Sequence, residues 1–374
     1  MRKINIYLLV IFVLMACKQS TELIIPFSNS EIEYSGRIDF SKEEAADIYW
    51  SGSSVKINFE GTSIQALLKD ESGDNYYNVI IDNDSIFILR PTTKKQYHEL
   101  ASNLTKGKHT VEIFKRTEWD RGKTSFYGFK LDANSKMLSK SDSKKRKIEF
   151  YGDSITAGFA IEDFSGNDSP DSTFTNNYLS YSSLTARYFD AKYHCICKSG
   201  IGITVSWDPL IMPEIYDRLI PTDETSIWDF SLFTPDIVVV NLLQNDSWLV
   251  NVPENEEFKK RFGENKPTND YIIKAYERFI MNIRKQYPKA NIICTLGSMD
   301  AAKKGSEWIN FIKTATTNLN DNKIYTHIMP YIESTTHPSI GDQQIMAKSL
   351  SQFINKNIVL SVFYILQTCL LIIS

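Results

Sequence analysis

The stretch KIEFYGDSITAGFA, from Lys147 to Ala160, decides how the second half of this chain is interpreted. It begins as a strand-like run, and helix-like sequence follows the Gly-Asp-Ser turn. A serine at the tip of such a turn is either a nucleophile held in the open or the cap of the following helix. The triplet alone is compatible with both interpretations, so the surrounding sequence has to distinguish them.

Strand-like and helix-like segments alternate after Lys147. The predicted strands are KIEFYG, KYHCICKSG, PDIVVVNLLQND, NIICTLG and KIYTHIMPYI, and the predicted helices are NNYLSYSSLTARYFDA, TNDYIIKAYERFIMNIRKQYPKA, KGSEWINFIKTATTNLN and GDQQIMAKSLSQFINK. Strands that are apolar on both faces and are joined through helices predict a parallel sheet with helices on both sides. We therefore expect a three-layer α/β domain over residues 147–356.

The preceding segment, residues 30–133, has the alternating apolar and polar pattern of β-strands. Gly, Asn and Asp interrupt it at hairpin-like spacing, and IDNDSIFIL is typical of two short strands around an Asn-Asp turn. Many short strands without helices predict a β-sandwich or jelly roll. Residues 134–146 are rich in Ser and Lys, which indicates an interdomain linker.

The N-terminus is typical of an export signal, because Arg2 and Lys3 precede an apolar run from Ile4 to Leu14. The sequence LMAC that ends at Cys17 resembles a bacterial lipobox, which implies cleavage before Cys17 and lipidation of that residue. We accordingly expect a signal peptide over residues 1–16, a tether over 17–29, and a lipoprotein anchored to a membrane of the bacterial cell envelope. The alternative is an ordinary signal peptide with an incidental cysteine.

The last segment, residues 357–374, is almost wholly apolar and carries no charge. Its length is at the short limit for a membrane helix. A C-terminal anchor, a buried extension of the last helix and an aberrant end of the reading frame all remain open.

The charge balance argues against a nucleic-acid partner, since 42 Lys and Arg face 45 Asp and Glu and no long basic tract occurs. The five cysteines form no regular disulfide framework once Cys17 is set aside. We predict that Cys195 and Cys197 are core residues on opposite sides of a strand. Zinc-type cysteine and histidine spacing is missing, and GDSITAG lacks the lysine of a phosphate-binding loop, so neither a metal nor another cofactor is expected.

Polar residues follow the predicted strands where ligands bind in open α/β sheets, at the carboxyl ends. Ser154 follows the first strand, Gly200 the second and Asn245 the third, and His337 precedes the last helix. A hydroxyl, a close backbone N–H, a carboxamide and an imidazole are the groups that acyl transfer requires.

The blocks GDSITAG, SGIG, QND and HPSIGDQQ, in this order, resemble those of the GDSL/SGNH hydrolase superfamily from Lys147 to Asn355. With the β domain in front, the chain is most similar to carbohydrate esterase family 2, in which a jelly roll precedes a flavodoxin-like SGNH domain. The resemblance implies that Ser154 is the nucleophile and His337 its base. It further implies an oxyanion hole formed by the backbone N–H groups of Ser154 and Gly200 and the side chain of Asn245.

The chain departs from the superfamily pattern at two positions. Many SGNH enzymes have an aspartate three residues before the histidine, where this chain has Ser334. Family 2 is similar in lacking it, which implies a Ser–His dyad with a ring oriented by main-chain carbonyls; Glu333 is an alternative partner. Leu243 replaces the glycine of the third block, a change that could shift Asn245 or narrow the acyl pocket.

The resemblance implies a carbohydrate O-acetyl esterase of the acetyl xylan esterase type, acting on acetylated glycans through an acetyl-serine intermediate. Asp153, Trp207 and Trp248 are candidate substrate contacts, with core packing as the alternative for both indoles. Two other functions remain open. One is a non-catalytic, glycan-binding surface lipoprotein, and the other is an SGNH esterase that acts on lipids or other esters.

Overall fold

The computed structural model describes residues 21–141 and 144–358. The predictions for the signal peptide, for Cys17 and for residues 359–374 lie outside these ranges. Within them, no helix combines the length and the apolar character needed to cross a membrane.

The first domain is a sandwich of two antiparallel sheets with six strands each. Its strands are β1 (Leu23–Pro26), β2 (Glu33–Ser35), β3 (Ile38–Asp39), β4 (Ala46–Ile48), β5 (Ser54–Gly61), β6 (Ile64–Asp70), β7 (Tyr77–Ile81), β8 (Ser85–Leu89), β9 (Gln96–Ala101), β10 (Gly107–Lys115), β11 (Thr124–Leu131) and β12 (Lys136–Leu138). One sheet has the order β3-β4-β11-β6-β9 with β1 on β11, and the other has the order β12-β5-β10-β7-β8 with β2 on β5. Alternate residues such as Val55, Ile57 and Phe59 are buried between the sheets, as the period of a strand requires.

The turn between β7 and β8 lies in the predicted segment, but its central pair is Asp82-Asn83, one position before the predicted Asn-Asp pair. Asp82 and Asn83 both have left-handed backbones, with φ of 53° and 58°, which Asn and Asp tolerate better than other side chains. The Asp84 N–H closes the turn by donating to the Ile81 carbonyl at 3.0 Å.

Two predicted boundaries of the first domain are wrong. Residues 23–26, assigned to the tether, form β1 on the edge of β11, and Ile25 is buried. Residues 136–138, assigned to the linker, form β12, which pairs with β5. In both cases a few apolar residues in a polar segment gain a pairing partner from a distant strand, which local composition does not reveal.

The second domain is a five-stranded parallel sheet between two layers of helices. Its strands are β13 (Arg146–Gly152), β14 (Ala191–Cys197), β15 (Ile237–Asn241), β16 (Asn291–Leu296) and β17 (Ile324–Ile328). Its helices are α1 (Ser154–Ala157), α2 (Tyr181–Tyr188), α3 (Met212–Ile215), α4 (Gln244–Leu249), α5 (Glu256–Phe262), α6 (Asn269–Gln286), α7 (Glu307–Leu319) and α8 (Ile340–Asn357). The strand order β14-β13-β15-β16-β17 is the flavodoxin-like order. The predicted sandwich followed by an α/β domain is thus confirmed.

The prediction that Cys195 and Cys197 face opposite sides of their strand is wrong. Residues two apart in a strand point to the same face, and the two sulfurs lie 3.4 Å apart in one apolar cluster. Both side chains are buried, so their interpretation as core residues holds.

The two domains share a buried polar interface centred on Arg37. Its guanidinium pairs with Glu149 of β13 at 2.7 Å and donates to the carbonyls of Tyr216 at 2.7 Å and Arg218 at 2.9 Å. Arg37 is only 1% exposed, so the sandwich inserts a charged side chain into the α/β domain.

Candidate active site

Ser154 lies at the point where the strand order of the parallel sheet reverses, at the carboxyl end of β13. Gly152 is required there, because a Cβ at this position would come 2.0 Å from the Thr156 hydroxyl. Asp153 is the helix cap, since its Oδ1 accepts the Ile155 N–H at 3.0 Å. The capping interpretation of Ser154 is therefore wrong, and its hydroxyl is free to contact His337.

The Ser154 Oγ lies 2.9 Å from the His337 Nε2. His337 comes from the connection between β17 and α8, and the ring of Phe159 packs against its imidazole with centroids 4.8 Å apart. The structure thus brings together two residues that are 183 positions apart in the sequence.

The other ring nitrogen of His337 contacts a carboxylate that was not predicted. Its Nδ1 lies 2.8 Å from Asp168 Oδ2, and the His337 backbone N–H donates to Asp168 Oδ1 at 2.9 Å and Oδ2 at 3.0 Å. The expectations that main-chain carbonyls or Glu333 orient this ring are therefore wrong. Ser334, at the position of the missing aspartate, accepts the Thr336 N–H at 3.1 Å instead.

The contacts of Asp168 favour its ionised form. Partial burial opposes ionisation, but the side-chain and backbone hydrogen bonds from His337 outweigh it and hold the pKa of the Asp168 carboxyl below its usual value. A carboxylate can only accept, so the proton between the two residues lies on Nδ1, and Nε2 is left to accept from Ser154.

Three groups were predicted to donate to an oxyanion, and their hydrogen-bond partners differ. Among the described residues, no hydrogen bond engages the backbone N–H of Ser154 or that of Gly200. Gly200 has a φ of 81°, which favours glycine. The Asn245 Nδ2 donates to the Ile201 carbonyl at 2.9 Å and lies 3.5 Å from Asp153 Oδ2, a long contact that leaves one of its two hydrogens weakly held.

Leu243 occupies the glycine position of the third block with a φ of 88°. This left-handed conformation costs a side-chain-bearing residue about 1–2 kcal/mol. The side chain is fully buried in the apolar cluster on one face of the sheet, so it does not line an open pocket. Asn245 keeps its contact with Ile201 in spite of the substitution.

Asp246 holds the loop after Gly200 in place. It was not among the predicted site residues. Its carboxylate accepts the N–H groups of Ile203 at 2.9 Å and Thr204 at 2.7 Å. Gly202 is needed beside it, because a Cβ there would lie 2.5 Å from Asp246 Oδ2.

The three predicted substrate contacts lie in different environments. Asp153 is 1% exposed; burial, with a further contribution from Asp246, raises its pKa to about 7. With so little exposure, the Asp153 side chain is not available to contact a substrate, so this predicted contact is wrong. Trp207 is 47% exposed and donates from Nε1 to Asn245 Oδ1 at 3.2 Å, whereas the Trp248 Nε1 lies 3.4 Å from Asp300.

A groove of both domains opens beside the loop that carries Gly200. Trp119 lines it from the sandwich, and Lys198, Ile201 and Asp208 line it from the α/β domain.

Over the described ranges, no three His, Cys, Asp or Glu side chains are grouped so that they could hold a metal ion.

Comparison with known proteins places these features in a family. Residues 34–141 match the family model for the carbohydrate esterase 2 N-terminal domain. The chain is 33% identical over 336 residues to the cellulase/esterase CelE of Acetivibrio thermocellus, which covers 86% of this chain but only 39% of CelE. It is 26% identical over 353 residues to an acetylxylan esterase / glucomannan deacetylase of Cellvibrio japonicus, covering 91% of this chain and 94% of the relative.

A solved structure is similar over nearly its whole length. It is a family two carbohydrate esterase from Clostridium thermocellum in complex with cellohexaose, 32% identical, with a TM-score of 0.76. The match covers 87% of this chain and 98% of that one, so both domains are included.

Proposed function

The chain belongs to carbohydrate esterase family two, and on this premise we propose that it removes acetyl groups from a polysaccharide or oligosaccharide through a serine nucleophile. The observation that carries the proposal is the 2.9 Å contact between the Ser154 hydroxyl and the His337 Nε2. This is the pairing that activates a weak hydroxyl nucleophile.

In the proposed reaction, His337 Nε2 takes the proton of Ser154 while Oγ attacks the acetyl carbonyl carbon. The N–H groups of Ser154 and Gly200 and the Asn245 amide donate to the resulting oxyanion. The imidazolium then protonates the departing sugar oxygen, which leaves acetyl-Ser154. Water, deprotonated by the same imidazole, attacks this ester, and acetate leaves as Ser154 regains its proton.

Two features support a glycan as the alcohol part of the substrate. The half-exposed Trp207 contacts Asn245 directly, and an exposed indole offers a face on which a sugar ring can stack. The groove between the domains is lined by Ser206 and Asp208, the sequence neighbours of Trp207, and by Trp119 of the sandwich. The names of the relatives suggest acetylxylan and acetylated glucomannan as the first substrates to test.

The test is hydrolysis of 4-nitrophenyl acetate, 4-nitrophenyl butyrate, acetylxylan and acetylated glucomannan by residues 18–358. We expect acetate to be strongly preferred over butyrate, and Ser154→Ala and His337→Ala to lower kcat by about 10³-fold or more. A wild type no faster than Ser154→Ala would overturn the proposal and leave glycan binding, measurable with cellohexaose, as the function. Faster cleavage of butyrate would instead indicate a lipid esterase.

We also propose that Cys17 carries a lipid that anchors the protein in a bacterial cell envelope. The lipobox-like LMAC sequence supports this. Radiolabelled palmitate should be incorporated into the wild-type chain and not into Cys17→Ser; equal labelling of both would overturn it.

A further inference from the structure

We infer that Asp168 positions His337 for proton transfer, so that a carboxylate from the loop after α1 takes over the task of the aspartate missing at Ser334. The inference rests on the proposed function. Three contacts carry it, because one carboxylate accepts both the ring Nδ1–H and the backbone N–H of His337.

The chemistry of these contacts explains what Asp168 would contribute. Its carboxylate fixes the Nδ1–H tautomer, leaves the Nε2 lone pair toward Ser154, and lies beside the positive charge that the ring gains during attack. The additional contact to the backbone N–H sets the position of the ring as well as its rotation. Asp168 touches no reacting atom and is therefore a positioning residue.

Hydrogen bonds at its tip and at its base hold the loop that carries Asp168 in position. Asp163 accepts the N–H groups of Ser165 at 3.0 Å and Ser169 at 2.8 Å, which closes the loop tip. On the sandwich side, Arg116 contacts Glu162 and donates to the Thr173 carbonyl at 2.9 Å. Arg116 is almost fully buried, so the base of the loop is attached to the first domain.

The first test compares Asp168→Asn and Asp168→Ala with Asp171→Asn, the same change in the same loop at a residue that only caps a short turn at Thr173. We expect both Asp168 variants to lose roughly 10²–10⁴-fold in kcat with KM nearly unchanged. Asp168→Asn should be the slower of the two, because its amide can present a donor to Nδ1. Asp171→Asn should keep the wild-type rate.

The second test separates a positioning role from a structural one. In a His337→Ala background, Asp168→Asn should cost nothing further in rate, because the group it positions is gone. If the loss adds to that of His337→Ala, or if Asp168→Asn alone keeps kcat within roughly threefold of wild type, the inference is wrong.

A third measurement tests the role of Asp168 separately from the proposed function. A hydrogen-bonded Nδ1–H gives a far-downfield proton NMR signal, which should be present in wild type and Ser154→Ala and absent in Asp168→Asn and His337→Ala. Its absence in wild type would overturn the role of Asp168. Its presence in a protein without Ser154-dependent turnover would contradict the proposed function alone.

A different contact carries a second inference: the geometry points to Glu118 of the sandwich as a positioning residue for the Gly200 N–H. The buried Glu118 carboxylate accepts both the backbone N–H and the hydroxyl of Ser199, the hydroxyl at 2.5 Å. The contact fixes the Lys198–Ser199 peptide unit and the Ser199 side chain, directly before the unit that carries the Gly200 N–H. The carbonyl of that next unit accepts from the Lys198 Nζ at 3.1 Å. Beside it, Lys198 pairs with Asp120 of the same sandwich loop at 3.3 Å.

Glu118→Ala and Glu118→Gln test this, with Glu112→Gln in β10 as the matched control. We expect Glu118→Ala to lower kcat/KM by roughly 10–100-fold and to weaken a tetrahedral boronate inhibitor by the same factor, because both use the oxyanion donors. Glu118→Gln, which keeps one acceptor for the Ser199 N–H, should recover most of the loss. A reduced fraction of active enzyme with an unchanged inhibitor constant would show a structural role only and overturn the inference.

Discussion

At the scale of single residues, Leu243 shows that a side chain can occupy a glycine position when the core accommodates it. We predict that Leu243→Gly lowers the free energy of unfolding, since losing a buried leucine costs about 2–5 kcal/mol and relief of the left-handed backbone returns only about 1–2 kcal/mol. Because Asn245 is held by other contacts, kcat/KM should change by less than roughly threefold.

Urea denaturation and 4-nitrophenyl acetate hydrolysis measure the two quantities for Leu243→Gly. A gain in stability would mean that backbone strain outweighs burial at this position. A tenfold or larger rise in kcat/KM would mean that the leucine displaces Asn245 after all.

Asp153 should make the stability of the fold depend on pH. Its pKa is raised to about 7, whereas an unfolded aspartate titrates near about 3.9. Between these values the folded chain holds a proton that the unfolded chain has released, so the free energy of unfolding falls as pH rises. Asp153→Asn cannot titrate, and its melting temperature relative to wild type should rise from about pH 4 to about pH 7. Parallel melting curves for the two proteins would contradict this.

Ser154 and His337 could be predicted because their blocks surround them with a specific local sequence. Asp168 could not, since it lies in a Gly, Ser, Asn and Asp-rich segment whose composition is that of any surface loop. Its importance comes from a contact across 169 residues, which neither periodicity nor spacing encodes. The left-handed backbone at Asp168, with a φ of 53°, is likewise invisible in the sequence.

At the scale of elements, α8 links the two halves of the candidate site. His337 precedes it, and the buried Gln343 within it donates to the Ile155 carbonyl at 2.9 Å and accepts the Tyr181 N–H at 2.7 Å. One amide therefore connects the helix behind His337 to the turn of Ser154 and to α2.

We predict that Gln343→Leu destabilises the protein by about 1–3 kcal/mol for each backbone group left without a partner, and lowers kcat as the Ser154 turn relaxes. The neighbouring Gln344 is exposed, so Gln344→Leu is the matched control and should change neither quantity. Thermal denaturation and single-turnover kinetics would test this, and equal effects in the two variants would contradict it.

The helices of the second domain were predictable where apolar residues keep a helical period over many residues, as in α6 and α8. The segment before α2 was not, because polar side chains replace helical hydrogen bonds there. Ser180 caps α2 by accepting from Ser183, and Asn176 accepts from Tyr178, so the predicted single helix is a short turn followed by a helix. Asn and Ser compete with the backbone in this way at helix starts.

At the scale of the whole molecule, Arg37 joins the domains. We predict that Arg37→Met costs about 3–5 kcal/mol, because Glu149 would be left charged and buried. The double variant Arg37→Met/Glu149→Gln should recover part of that loss. Arg90→Met, which breaks the exposed pair with Asp74, should cost at most about 1 kcal/mol.

Calorimetry would measure these changes and should show one transition for both domains of the wild type. Two separate transitions, or a loss for Arg37→Met no larger than for Arg90→Met, would contradict the importance of the interface. Sequence reasoning could not find this pairing, since GRIDF is typical of a strand with one solvent-exposed arginine.

The buried Arg37 also has a consequence for how the protein is made. It leaves the ribosome 112 residues before Glu149, which at about 5–20 residues per second corresponds to several seconds or more. The sandwich can pair its strands in that time, but its arginine has only water to contact until the parallel sheet exists. We therefore expect folding to be completed by docking of the two domains, which dehydrates this guanidinium. The contacts of Arg116 and Glu118 with the loops of the candidate site should form in the same step.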